Sequence, residues 1–104
     1  MKTLNFFLIR HNPTGFYLPE PAGRMGRGGS HVEPADPAAD RPRIFPSRLS
    51  ATRALAQWLR GKHHREWHTD WETGHAEDDG VSVEPVPSRK REEMEIIEIA
   101  VTLP

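Results

Sequence analysis

The stretch RIFPSRLSATRALAQWLRG (residues 43–61) contains the one complete helix signal in the sequence. Ser47 is a residue type that accepts hydrogen bonds from first-turn amides, and Gly61 followed by Lys62 is typical of a helix end. At about 100° per residue, the apolar side chains gather on one stripe and the polar side chains lie opposite. The stripe consists of Ala51, Ala54, Leu55, Trp58 and Leu59, and the polar side consists of Ser50, Arg53, Gln57 and Arg60. We therefore predict an amphipathic helix that covers a small sheet.

Strand-like sequences stand at the two ends of the chain. Residues 3–10 are rich in aromatic and branched side chains, and the turn sequence HNPTG (11–15) leads into residues 16–18, which predicts a β-hairpin. Residues 43–45 are predicted as a short third strand that leads directly into the helix. Residues 93–103 show a clear alternation of side-chain polarity, which predicts a strand. Their apolar side chains are Ile97, Ile99, Val101 and Leu103, and Glu98, Ala100 and Thr102 lie on the other face.

Together these elements predict an α+β fold in ββ(β)αβ order. We expect a three- to four-stranded, mainly antiparallel sheet, with the last strand beside the first and one helix packed on one face. At 104 residues the chain fits a single domain, 1–104. Because only 36% of residues are hydrophobic and 8 Gly and 10 Pro are present, we also expect long loops.

Two segments lack a usable period. Residues 19–42 are predicted as a long Gly/Pro/Arg loop, and residues 65–92 as a mobile polar and acidic segment. The charges are divided between the two parts of the chain. Residues 1–65 carry a net charge of +7 and residues 66–104 a net charge of −8. This polarity favours a charged partner, unless the fold brings the two parts together and cancels the field.

Composition narrows the function classes. The absence of cysteine excludes disulfides, thiol catalysis and thiolate metal sites. No stretch is long and apolar enough for a membrane span, and no signal peptide is recognisable, so we expect a soluble cytoplasmic protein without membrane contacts. No activated nucleophile with a paired base follows from the order of residues, so we predict a non-enzymatic protein that needs no cofactor.

The glycine-rich stretch GRMGRGGS (23–30) is the first candidate site. Arg24 and Arg27 in such a loop could reach the phosphates of an anionic partner. It is not a P-loop, because the Gly-Lys-Ser/Thr ending is missing. The alternative is a flexible loop whose arginines pair with local carboxylates or water.

Trp67 and Trp71 form the second candidate site, because they lie in a polar segment outside the predicted core stripe. Large aromatic side chains are enriched at interface hot spots, so this pair could anchor a partner. The alternative is that both fold back over the second face of the sheet, where Phe7 and Ile9 need cover.

Histidines cluster between the predicted helix and the acidic segment. They are His63, His64, His68 and His75. His64 and His68 are four residues apart, but no second ligand pair stands at a diagnostic spacing. We interpret the cluster as a solvated segment and predict no metal site.

Several motifs resemble a group of small uncharacterised proteins of proteobacterial phages and prophages. They are FLIRHNPTGFYLP (7–19), GRGGS (26–30), Glu33-Pro34, PRIFPS (42–47), ALAQWLRGK (54–62) and EMEIIE (93–98). The resemblance covers most of residues 6–64 and the last strand, but not residues 65–90. It implies a small accessory protein acting in the cytoplasm of an infected bacterium. Such proteins often bind host machinery, including nucleic-acid-guided defence systems.

Three functional hypotheses follow. In the first, the chain binds a host or phage protein complex through Arg24, Arg27, Trp67 and Trp71, and it is a candidate inhibitor of a nucleic-acid-guided defence system (an anti-CRISPR protein). In the second, it binds nucleic acid directly through its basic N-terminal part. That set comprises Arg24, Arg27, Arg41, Arg43, Arg53 and Arg60. In the third, it is a minor structural or assembly component. The oligomeric state is open in all three.

Overall fold

A computed structural model describes residues 1–21, 29–69 and 76–104, with the backbone alone described for 64–69 and 76–82. The strands are β1 (Lys2–His11), β2 (Phe16–Tyr17), β3 (Lys62–Thr69), β4 (Ala76–Glu84) and β5 (Met94–Leu103), and the helix is α1 (Arg48–Arg60). Two short 3₁₀ turns lie at Gly29–His31 and Arg91–Glu93. The strands form two antiparallel sheets, one in the order β2-β1-β5 and one of β3 and β4. The predicted α+β class is confirmed.

Helix α1 begins and ends where the sequence predicts. The side-chain oxygen of Ser47 accepts from the Ser50 amide at 3.1 Å, and the Ser50 hydroxyl accepts from the Ser47 amide at 3.4 Å. These two bonds form a capping box, with serine in the place of the usual Glu or Gln. At the other end, Gly61 adopts a φ of 123°, a value that favours glycine, and the helix stops.

The three-stranded sheet confirms the predicted neighbours. β1 and β5 pair along their full length, from Lys2 opposite Leu103 to His11 opposite Met94. The predicted third strand at residues 43–45 is wrong as a strand, because only Phe45 forms a bridge, to Phe7 in β1. Prolines at positions 42 and 46 stand close on either side, and they lack the amide that a longer ladder needs.

The core lies between α1 and one face of this sheet. Its buried side chains are Ile9, Leu18, Phe45, Ala51, Leu55, Trp58 and Met94, and Phe7, Val32, Ala54, Leu59 and Ile96 pack against them. The predicted apolar stripe of the helix is confirmed. Phe7 and Ile9 already lie on the helix side, so the expectation that they need cover on the second face is wrong.

Residues outside this core adopt more regular structure than the sequence patterns predict. Within the described residues, Ala35 of the 19–42 loop forms an isolated bridge to Tyr17 in β2, and the two ends of the loop, Pro19 and Pro42, form a bridge with each other. The patterns of residues 65–92 predict no strand, but β3 and β4 pair there, from Lys62 opposite Glu84 to Thr69 opposite Ala76. Sheet propensity depends on cross-strand partners, which a single-strand pattern does not contain. Within the described residues, no helix has the length and apolar character needed to cross a membrane.

Candidate interaction surfaces

The face of the sheet that points away from α1 is apolar. Successive side chains of a strand point to opposite faces, and cross-strand partners share a face. Since Phe7, Ile9 and Ile96 pack toward the helix, their neighbours along β1 and β5 point the other way. We call this surface the outer face. It consists of Leu4, Phe6 and Leu8 from β1 and Ile97, Ile99, Val101 and Leu103 from β5.

The outer face is a continuous strip, because three of its pairs stand directly opposite each other. They are Leu8 with Ile97, Phe6 with Ile99, and Leu4 with Val101. Leu4 is 41% exposed, Val101 37% and Leu103 40%, whereas Phe6, Leu8, Ile97 and Ile99 are half-buried. From Ile97 to Leu103 the strip extends about 20 Å at roughly 3.4 Å per residue. Contiguous apolar surface on a monomer is often functional.

Charged groups stand at the ends of the strip. At one end Arg10 lies opposite Glu95, and its Nη2 donates to Glu95 Oε2 at 2.9 Å. At the other end Lys2 lies opposite Leu103. An apolar centre with a polar rim is the usual anatomy of a protein–protein interface.

A second surface lies beside helix α1 and is basic. Arg43 and Arg53 line a shallow groove of about 320 Å³ together with Ser47, Ser50 and Gln57, and no carboxylate of the described residues lines it. Arg60 follows Arg53 by seven residues, so it lies about two turns further along the same side of the helix. Arg41 is exposed in the segment that leads to Arg43.

Arg89 is buried, although its sequence surroundings predict a linker. Its side chain is 1% exposed, and it donates to Glu33 Oε1 from both Nε, at 3.0 Å, and Nη2, at 2.6 Å. Its Nη1 donates to the Trp58 carbonyl at 2.8 Å. The sequence Arg89-Lys90-Arg91 does not indicate which of the three basic side chains is buried. Only the fold identifies Arg89 as a structural residue.

A cleft of about 200 Å³ next to Arg89 is also lined by His11, Thr14 and Glu33. The ring of His11 contacts the Thr14 hydroxyl at 2.8 Å through Nδ1 and a Glu93 carboxylate oxygen at 3.4 Å through Nε2. The Thr14 oxygen also accepts from the Phe16 amide at 3.2 Å. These contacts stabilise the β1–β2 turn.

The residues predicted to bind a partner lie mostly outside the described residues. Arg24 and Arg27 fall within 22–28, and Trp71 falls within 70–75. Trp67 lies in β3 opposite Asp78, where the backbone alone is described. The hypothesis that these four side chains bind a partner stays a prediction. The outer face was not among the predicted sites, although the alternation of β5 indicates one apolar face.

Of the arginines predicted to bind nucleic acid, four are described, and the structure brings Arg43 and Arg53 together at the groove. Histidine has a structural role where it is described. His31 Nε2 donates to the His63 carbonyl at 2.7 Å, and the His63 amide donates to Ser30 Oγ at 3.1 Å. Among the residues whose side chains the structure describes (1–21, 29–63 and 83–104), no group of three His, Asp or Glu could hold a metal ion.

No protein-family model, no curated protein and no solved structure matches this chain. What the protein does must therefore be inferred from its own surfaces.

Proposed function

We propose that this chain is a non-enzymatic binding protein that docks onto a protein partner through its outer face. The observation that supports the proposal is the strip of seven apolar side chains on the side of the sheet opposite α1. Water contact with apolar side chains costs free energy, and burying them against a partner recovers it at about 25 cal/mol per Å². Contiguous exposed apolar surface of this kind is typical of interaction sites.

The chemistry of the outer face favours a protein over a nucleic acid. Its charged groups, Arg10, Glu95 and Lys2, lie at the ends of the strip, and Arg10 is already paired with Glu95. Phosphates would find no cation over the centre of the strip, where affinity for nucleic acid normally arises. An apolar surface on another protein would bury the centre and leave the charged ends in water.

The resemblance to small phage and prophage proteins suggests the setting. We take the partner to be a host or phage protein complex in an infected bacterium, and a nucleic-acid-guided host-defence assembly is the specific candidate. This identity rests on the resemblance alone, whereas the docking surface rests on the geometry of β1 and β5.

The test compares two doubly substituted chains. Leu4→Lys with Val101→Glu places a neutral ion pair in the outer face, because these residues are cross-strand partners. Thr3→Lys with Thr102→Glu is the matched control, since it places the same pair on the opposite side of the same strands. Affinity capture from infected cells, with nuclease treatment, should recover a protein with the native chain and the control and lose it with the outer-face variant.

Retention of that protein by the outer-face variant would exclude the outer face as the docking surface. Circular dichroism should show both variants folded, because the substituted side chains are exposed in the native chain. Loss of all captured proteins on nuclease treatment would instead favour the second candidate function.

That second candidate is direct nucleic-acid binding at the basic groove. It is favoured by the position of Arg43 and Arg53 on one groove, where no carboxylate of the described part of the chain lies, and by a helix that carries three arginines and no acidic residue. Fluorescence anisotropy with a labelled oligonucleotide should then show affinity that falls steeply with salt, because bound phosphates release counterions. Arg43→Gln with Arg53→Gln should weaken binding, and Arg10→Gln should not, since Arg10 is paired with Glu95.

A further inference from the structure

The outer edge of β5 is available for pairing. In the sheet order β2-β1-β5, β5 is the last strand. The Phe7 amide and carbonyl bond to Phe45, and the Ile9 carbonyl accepts from Leu18, so the backbone groups of odd residues in β1 point away from β5. The even residues of β1 therefore bond to β5, and Leu8 with Ile97 and Phe6 with Ile99 are the hydrogen-bonded pairs.

It follows that alternate residues of β5 direct their backbone groups outward. They are Ile96, Glu98, Ala100 and Thr102. Within the described residues, no strand pairs with this edge and no backbone hydrogen bond connects it to a loop. An edge ten residues long is a template for another strand, and proteins usually block such edges with charge, proline or a covering element.

We propose that β5 pairs antiparallel with β5 of a second copy of this chain, about a two-fold axis at Ile99. The two sheets would join into one six-stranded sheet in the order β2-β1-β5-β5-β1-β2. In this register Glu98 stands opposite Ala100 of the second copy, and Ile96 stands opposite Thr102 of the second copy. Four outward-facing pairs then exchange about eight backbone hydrogen bonds, because each such pair exchanges two.

The side chains favour a second copy in this register. Ile97 would stand opposite Val101 of the second copy, and Ile99 opposite Ile99, so apolar contacts continue across the junction. No like charges face each other. If the two-fold axis lay at Glu98 instead of Ile99, Glu98 would stand opposite Glu98 of the second copy, and like charges directly opposite are destabilising. Glu98 thus disfavours that register and does not disfavour the register centred on Ile99.

The inference is independent of the proposed function but compatible with it. Edge pairing uses backbone groups and leaves both outer faces uncovered on the same side of the joined sheet. The two apolar strips would then lie next to each other, which doubles the area offered to a partner. A dimer would also present two identical docking surfaces, which raises avidity for a symmetric or repetitive target.

The first experiment measures self-association of the full chain by sedimentation velocity over a range of concentrations. The native chain should dimerise. Ala100→Glu should raise the dimer dissociation constant roughly tenfold or more, because it places a carboxylate opposite Glu98 of the second copy at two symmetric positions. Ala100→Lys is the matched control, and should leave the constant unchanged or lower it by pairing with Glu98.

The second experiment uses the absence of native cysteine. Ile99→Cys places two thiols on the two-fold axis, at a non-hydrogen-bonded pair whose Cα atoms lie about 4.5 Å apart, within the range for a disulfide. Mild oxidation should therefore crosslink this variant. Ile97→Cys is the control, since its two copies would lie about 13 Å apart along the strands, too far for a disulfide.

A chain that stays monomeric up to millimolar concentration overturns the inference. So does a dimer that responds equally to Glu and Lys at position 100, or one in which position 97 crosslinks as readily as position 99. A dimer held by the outer faces would respond equally to Glu and Lys at position 100, because Ala100 lies on the helix side of the sheet. A monomeric chain, or crosslinking at position 97, leaves capture of a partner by the outer face untouched, whereas a dimer held by the outer faces would cover that docking surface.

Discussion

The guanidinium group of Arg89 lies over the indole of Trp58, with its central carbon 4.3 Å from the ring centroid. The same group donates to the Trp58 carbonyl and to Glu33. Arg89 therefore connects the segment before β5 to α1 and to the loop that contains Glu33. The indole nitrogen of Trp58 donates to the Val32 carbonyl at 2.7 Å, so both side chains hold this loop against the helix.

We predict that Arg89→Ala lowers the free energy of unfolding by about 2–4 kcal/mol, because the buried Trp58 carbonyl and the half-exposed Glu33 carboxylate lose a charged donor and the indole loses its cover. Urea denaturation followed by tryptophan fluorescence measures this change. Lys90→Ala is the control, and should change stability by less than about 0.5 kcal/mol, since Lys90 is exposed. Equal effects of the two substitutions would contradict the structural role of Arg89.

Two glycines with positive φ provide a matched pair. A Cβ at Gly61, where φ is 123°, would overlap the backbone of Glu84 and Pro85, whereas a Cβ at Gly15, where φ is 72°, meets no atom within 4 Å. Gly15→Ala should therefore cost only the backbone strain, about 1–2 kcal/mol. Gly61→Ala should cost clearly more, because α1 and β4 must separate locally. Thermal unfolding of both variants would test this, and a smaller loss at Gly61 would contradict the close approach.

Two leucines of α1 differ in burial. Leu55 is 2% exposed in the core, and Leu49 is 57% exposed near the start of the helix. Leu55→Ala should lower the free energy of unfolding by about 2–4 kcal/mol through lost burial and the cavity that remains. Leu49→Ala should change it by less than about 0.5 kcal/mol. Chemical denaturation of both variants compares them directly, and a large effect at Leu49 would show that its side chain is covered.

The cap of α1 can be tested with two hydroxyl residues. Ser47→Ala removes the acceptor for the Ser50 amide and should cost about 1 kcal/mol. Thr52→Ala removes a hydroxyl that bonds back to the Arg48 carbonyl inside the helix, and should be neutral or slightly stabilising because alanine has the higher helix propensity. Melting curves that place both variants below the native chain by the same amount would contradict the capping role.

Several local features follow from the sequence because their causes are local. Ser47 and Gly61 delimit α1, since capping and positive φ depend on the residues themselves. The alternation of residues 93–103 predicts a strand, and the turn at 11–15 predicts the hairpin partner of β1. The apolar stripe of α1 also predicts which side of the helix is buried, because its period matches the helix.

Other features depend on which segments meet. The alternation of β5 defines two faces, but not which one α1 covers, and the helix in fact packs over Met94 and Ile96. The burial of Arg89 depends on the carbonyl of Trp58, 31 residues away in the chain. The pairing of β3 with β4 depends on partners rather than on the composition of either strand.

The sequence by itself therefore determined the elements whose period and ends are encoded within a few residues: the helix, its caps, the first hairpin and the last strand. Only the tertiary structure decided which apolar face stays uncovered and which edge stays open. The physical reason is that hydrophobic burial is non-directional. Both faces of β5 carry apolar side chains, and the choice between them is made by where the connection through residues 43–47 places α1 against the sheet.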